Sequence, residues 1–108
     1  MGRSYIVIRT SFEAIHAWTE CPWTDVSFLK NCHRHIFHVE MKIETFADRG
    51  IEFIRYKRSL DSYIKGEYGG KDIGSTSCEM IAKTLAEVFK ASEVEVSEDL
   101  ENSAIYEA

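Results

Sequence analysis

The four histidines of this 108-residue chain all fall between residues 16 and 38. Two of them form the triplet His33-Arg34-His35, inside a run that alternates in polarity as a β-strand does. Side chains two apart on a strand share a face, so His33 and His35 point the same way. His16 ends an earlier β-rich run, on the face that also carries Phe12 and Ala14. A third imidazole brought in by that neighbouring strand completes a tripod of nitrogen ligands. Three nitrogens leave the fourth tetrahedral position open to water or substrate, which is the arrangement of a catalytic zinc ion. The competing interpretation is three partly buried sheet histidines, and the matched spacing and face favour zinc over it. His38 falls on the opposite face and reads as a surface or interface residue.

These side chains need a sheet to hold them. Residues 4–16 are rich in β-branched and aromatic types and read as a first strand. Residues 17–31 hold the single proline, Pro22, and both tryptophans without a clear period, and read as a long loop. Residues 32–46 form the second strand, with His33, His35, Phe37, Val39 and Met41 on one side. Asp48-Arg49-Gly50 is a turn signal, and Ile51 to Arg55 reads as a third strand. Lys57 to Tyr63 begins a short helix, with Leu60 and Ile64 one turn apart. Four glycines mark residues 66–75 as a loop. Thr76-Ser77-Cys78-Glu79 fits a capping box opening a second helix, whose buried stripe is Ile81, Ala82, Leu85, Val88 and Phe89. Glu93 to Ser97 alternates as a fourth strand, and Ala104 to Tyr106 adds β pairing at the end. The order β-β-β-α-α-β predicts an α+β fold, a largely antiparallel sheet with two helices packed on one face.

The length fits one domain spanning 1–108. A core this small makes oligomerisation unsurprising, and a four-stranded sheet has edges to cover. A net charge of -5 and a pI of about 5.3 argue against nucleic acid as a partner, since phosphate binding needs clustered Lys and Arg. The run Arg55-Tyr56-Lys57-Arg58 is a local exception that a solvated helix start explains equally well. Three cysteines, Cys21, Cys32 and Cys78, without regular spacing are no disulfide framework. With no signal-like leader and no membrane-length apolar stretch, the expectation is a reduced, cytoplasmic protein without a membrane partner.

Five motifs in chain order resemble the 6-pyruvoyl-tetrahydropterin synthase and 6-carboxytetrahydropterin synthase family. Phe12-Glu13-Ala14-Ile15-His16 and His33-Arg34-His35 look like its zinc signature, Phe-x-Ala-x-His followed by His-Gly-His. Gly50-Ile51-Glu52-Phe53 is similar to its Gly-led strand entering a helix. Thr76-Ser77-Cys78-Glu79 resembles its Thr-x-x-Glu helix start, and Val94-Glu95-Val96-Ser97-Glu98 its final strand, which ends in a ligand-anchoring glutamate. The resemblance implies the tunnelling fold (T-fold), Zn2+ on His16, His33 and His35, a pterin-like heterocycle bound through Glu98, and homo-oligomeric barrels. Glu79 reads first as a helix-capping residue, with a compatible ligand-binding role.

The departures bear on chemistry. Arg34 replaces the middle glycine. Leu29 stands where the family has its nucleophilic cysteine, and Cys32 is next to His33, turned from the metal face by alternation. Cys21, in the loop, could swing in as a catalytic group, and the base such chemistry needs would come from Cys21, Cys32 or a carboxylate. No histidine follows residue 38, so the family's downstream proton-transfer histidine is missing. Three functions stay open: zinc-dependent lyase or synthase chemistry on a pterin or related purine-derived metabolite, non-catalytic binding of such a ligand, and a structural zinc protein.

Overall fold

A computed structural model describes residues 2–108. The chain runs β1 (Ser4–His16), a 3-10 helix (Thr24–Lys30), β2 (His33–Thr45), α1 (Phe53–Glu67), α2 (Cys78–Phe89), β3 (Glu93–Glu98) and β4 (Asn102–Glu107). The four strands form one antiparallel sheet in the order β1-β2-β3-β4. Both helices lie on one face of it, and the α+β expectation holds.

Alternation along the strands sends Ile8, Phe12, Phe37, Val39, Met41, Val94 and Val96 to the helix side. There they meet Leu60 and Ile64 of α1 and Ile81 and Leu85 of α2. Each such side chain contributes roughly 1.5–3 kcal/mol by leaving water. The opposite face carries Arg9, Glu40, Arg34 and the half-buried His38.

Three local expectations are corrected. Ile51–Arg55 is not a strand, because α1 begins at Phe53. The Glu52 side chain accepts a hydrogen bond from the Arg55 amide and caps the first turn. A five-residue apolar run is too short for its period to separate strand from helix. α1 also runs on through Gly66, well past Tyr63. The capping box of α2 lies one residue later than Thr76-Glu79: Ser77 Oγ accepts from the Met80 amide, and the Met80 sulfur accepts from the Ser77 amide. The element order is therefore β-β-α-α-β-β, with residues 102–107 a full strand.

Register positions the site. In the β1–β2 ladder His16 lies opposite His33, Ala14 opposite His35 and Phe12 opposite Phe37. Phe12 and Phe37 stack at 5.2 Å and floor the three histidines. The β2–β3 ladder ends at Phe37↔Glu98, so the His33–Ile36 segment extends past β3 and opens a cleft at that end. The segment joining the helices is laced to β1 by main-chain bonds: Gly70 N to Glu13 O at 2.7 Å, Ile15 N to Lys71 O at 2.9 Å, Ile73 N to Ile15 O at 2.8 Å and Ala17 N to Gly74 O at 2.9 Å. Gly70 (φ 70) and Gly74 (φ 62) make the left-handed bends this lacing requires. No helix among the described residues is long and apolar enough to cross a membrane.

Candidate metal centre

The three histidine rings come together at the end of the β1–β2 hairpin. Ring centroids are 4.5 Å apart for His16–His33, 4.9 Å for His33–His35 and 5.3 Å for His16–His35. One donor atom from each histidine and one from Glu98 lie within 4.8 Å of one another. The far side of every ring is tied. His16 Nδ1 is 2.9 Å from the Thr76 carbonyl, His33 Nδ1 is 2.8 Å from the Asn31 carbonyl, and His35 Nδ1 is 2.6 Å from Asp99 Oδ2. A carbonyl or carboxylate oxygen only accepts, so Nδ1 of His16 and of His33 carries the proton and their Nε2 atoms present lone pairs, while His35 has an acceptor oxygen at both nitrogens. Metal-binding histidines are oriented in this way.

The His16 side chain is 12% exposed, and its Nε2 is buried without a hydrogen-bond partner. An unsatisfied buried acceptor costs about 1–3 kcal/mol. A cation at that nitrogen removes the penalty, and a set of three imidazole nitrogens with a carboxylate nearby suits zinc. These residues therefore fit the ion that the sequence suggests.

Glu98, at the end of β3, turns its carboxylate into the cluster. Its Oε2 is 2.7 Å from His35 Nε2 and 3.8 Å from His16 Nε2, and its Oε1 is 3.8 Å from Cys78 Sγ. Burial, with the Glu98 charge beside it, pushes the Cys78 thiol up to about 12. Asp99 is held below the usual carboxylate range by the Ile36 amide and the His35 ring. The sequence analysis did not single out Asp99, which stands among the acidic residues Glu95, Glu98 and Glu101. The available signal was an aspartate at a tight strand–strand joint, where Asp side chains fold back onto main chain.

A cleft of about 500 Å³ opens beside the cluster, lined among others by His16, His33, Glu98, Glu79, Leu29 and Trp18. Glu79 thus sits at the cleft in the first turn of α2. The cap itself belongs to Ser77 and Met80. Cys21 is buried, with its sulfur facing the Trp23 and Val26 carbonyls at 3.7 and 3.9 Å, and it is not among the residues lining the cleft. Cys32 is exposed. Arg34 pairs at 2.8 Å with Glu13 of the adjacent strand on the opposite face. Trp18 meets Trp23 edge-on at 5.4 Å and walls one side.

Fold and cluster together describe a small α+β chain with a three-histidine pocket at the mouth of its sheet. A solved structure of Caenorhabditis elegans 6-pyruvoyl tetrahydropterin synthase has the same architecture, with a TM-score of 0.77, 15% sequence identity, and alignment over 100% of this chain and 97% of that one. At that identity the likeness defines the fold, and the fold is the T-fold. No family model matches the chain, and no curated protein matches it.

Proposed function

We propose that this chain is a zinc-binding, pterin synthase-like protein whose cleft takes a pterin or a related purine-derived heterocycle. The observation that carries this reading is the convergence of three Nε2 atoms, one of them buried and unpaired, with every Nδ1 anchored behind it. His16, His33 and His35 would hold the ion. When bound, zinc supplies a Lewis acid that polarises a side-chain hydroxyl or carbonyl of the ligand. Glu98 offers paired acceptor oxygens suited to the N–H edge of an amino-pyrimidine, and Glu79 is a second carboxylate at the same cleft. Trp18 and Leu29 give a flat ring apolar walls. The T-fold likeness supports assembly into a homo-oligomer. The three free cysteines are compatible with a reducing, cytoplasmic setting.

Lyase-type chemistry on such a ligand also needs a base. Leu29 occupies the nucleophile's place and has none to offer, and Cys78 remains a thiol at neutral pH. Cys21 serves only if the loop carrying it turns outward. These observations favour, as second reading, a non-catalytic binder that retains the metal and the pocket. Elemental analysis after zinc reconstitution tests the common part: one zinc per chain in wild type, lost in His16→Ala, His33→Ala or His35→Ala. Zinc near zero in wild type, or full retention in all three variants, overturns it. Turnover of reduced pterins by the loaded protein, and its loss in Cys21→Ala but not Cys32→Ala, separates the enzyme from the binder.

A further inference from the structure

We infer that Asp99 is a positioning residue of the metal centre, locking His35 in the tautomer that turns a bare Nε2 toward His16 and His33. The inference rests on the zinc reading above. His16 and His33 are fixed by backbone carbonyls, which no substitution removes. His35 alone of the three depends on a side chain for its orientation.

His35 also stands between two carboxylates that pull its proton in opposite directions. Asp99 Oδ2 is 2.6 Å from Nδ1 and Glu98 Oε2 is 2.7 Å from Nε2. A neutral ring carries one N–H. If Glu98 took it, the lone pair would face Asp99 and the cluster would lose a ligand. Asp99 has the stronger hold because it is itself immobilised. Its amide donates to the Ile36 carbonyl at 2.8 Å, and its Oδ1 accepts from the Ile36 amide at 3.0 Å. β3 has ended at Glu98, so this carboxylate stands in for the next rung of the β2–β3 ladder.

The chain accepts backbone strain to make this arrangement. Asp99 and Leu100 are both left-handed, with φ of 54 and 61, in the turn closed by Glu101 N to Glu98 O at 2.9 Å. Such a turn favours Asn-Gly or Asp-Gly, so the strain falls on Leu100, since the left-handed conformation costs a residue other than glycine, asparagine or aspartate about 1–2 kcal/mol. Aspartate suits the first left-handed position of such a turn, and its carboxylate in addition reaches the His35 ring and the Ile36 amide.

Zinc competition titrations against a chromogenic chelator, on wild type, Asp99→Gly, Asp99→Asn and Leu100→Gly, test this. Glycine and asparagine both tolerate the left-handed backbone, so the turn survives: glycine removes the acceptor facing Nδ1, and asparagine, keeping its oxygen on the Ile36 amide, turns an NH2 donor toward it. Removing such an orienting partner typically weakens metal binding by about 10–100-fold, and we expect that loss in both Asp99 variants. Leu100→Gly alters the same turn without touching His35 and should bind zinc as wild type does. Nitrogen-15 NMR of the metal-free proteins gives a second readout: His35 protonated on Nδ1 in wild type and on Nε2 in Asp99→Gly. Zinc affinity within about twofold of wild type in both Asp99 variants overturns the inference, as does an Nε2-protonated His35 in wild type. Wild type that takes up no zinc sinks the functional reading instead, and the tautomer measurement then still decides the role of Asp99.

Discussion

His16 combines the tightest burial of the cluster with its one unsatisfied atom. A cation placed at that nitrogen should register as stability. Ligand that binds only the folded state stabilises by mass action, about 2.7 kcal/mol at a hundredfold excess over Kd. Zinc should therefore raise Tm in wild type, a chelator should reverse the rise, and His16→Ala should show neither. Calorimetry with and without zinc checks all three. The cysteines make a second case. A thiol raised to about 12 is almost wholly protonated at pH 8, so Cys78 should resist alkylation there, and Cys21 is shut off by burial. Iodoacetamide with peptide mapping should find only Cys32 modified quickly, and rapid labelling of Cys78 would contradict its placement beside Glu98. Glu98→Gln replaces one acceptor with a donor. If Glu98 anchors the heterocycle, affinity should fall tenfold or more, about 1.4 kcal/mol, in calorimetry with neopterin, biopterin or guanosine compounds. Equal binding by the variant would place the ligand elsewhere.

Among the elements, α2 depends on its first turn for both stability and cleft shape. Ser77→Ala removes the cap and should cost about 1 kcal/mol, whereas Glu79→Gln, off the cap, should stay within about 0.5 kcal/mol of wild type. Urea unfolding of the two variants separates these outcomes, and a larger loss for Glu79→Gln would return the cap to Thr76-Glu79. The two long strands were legible because a period of two over thirteen residues leaves little room for any other structure. The start of α1 was not, because Ile51 and Phe53 alternate like a strand while the Glu52 cap becomes visible only once the backbone has turned. The histidine face followed from strand alternation alone. Asp99 did not, because its bond to the Ile36 amide joins residues 63 apart in sequence, and no local pattern encodes such a meeting.

For the molecule as a whole, the exposed strand edges are where assembly would act. The segment 70–74 already pairs with the outer edge of β1 at one end, leaving the outer edges of the N-terminal part of β1 and of β4 unpaired among the described residues. Unpaired edges of this kind invite another chain. Sedimentation should give a mass that is a multiple of 12.4 kDa, and a monomer at every concentration would remove the barrel from the proposal. Layer architecture was readable from composition and alternation. The pairing of β3 with β2 across both helices was not, since register between distant segments is set by the packing of the closed core.

The residues of the cleft also bear on how the chain reaches its native state. His16, His33 and His35 belong to one long hairpin, which forms from neighbouring chain. Glu98 arrives only when β3 has crossed both helices to dock on β2. Closing that wide loop carries an entropy cost that local contacts do not repay. If Glu98 anchors the heterocycle, a ligand gripped from β1, β2 and the tip of β3 would act as a staple across the loop, so its release should be slow and tied to the parting of β3 from the sheet rather than to solvent access at the cleft.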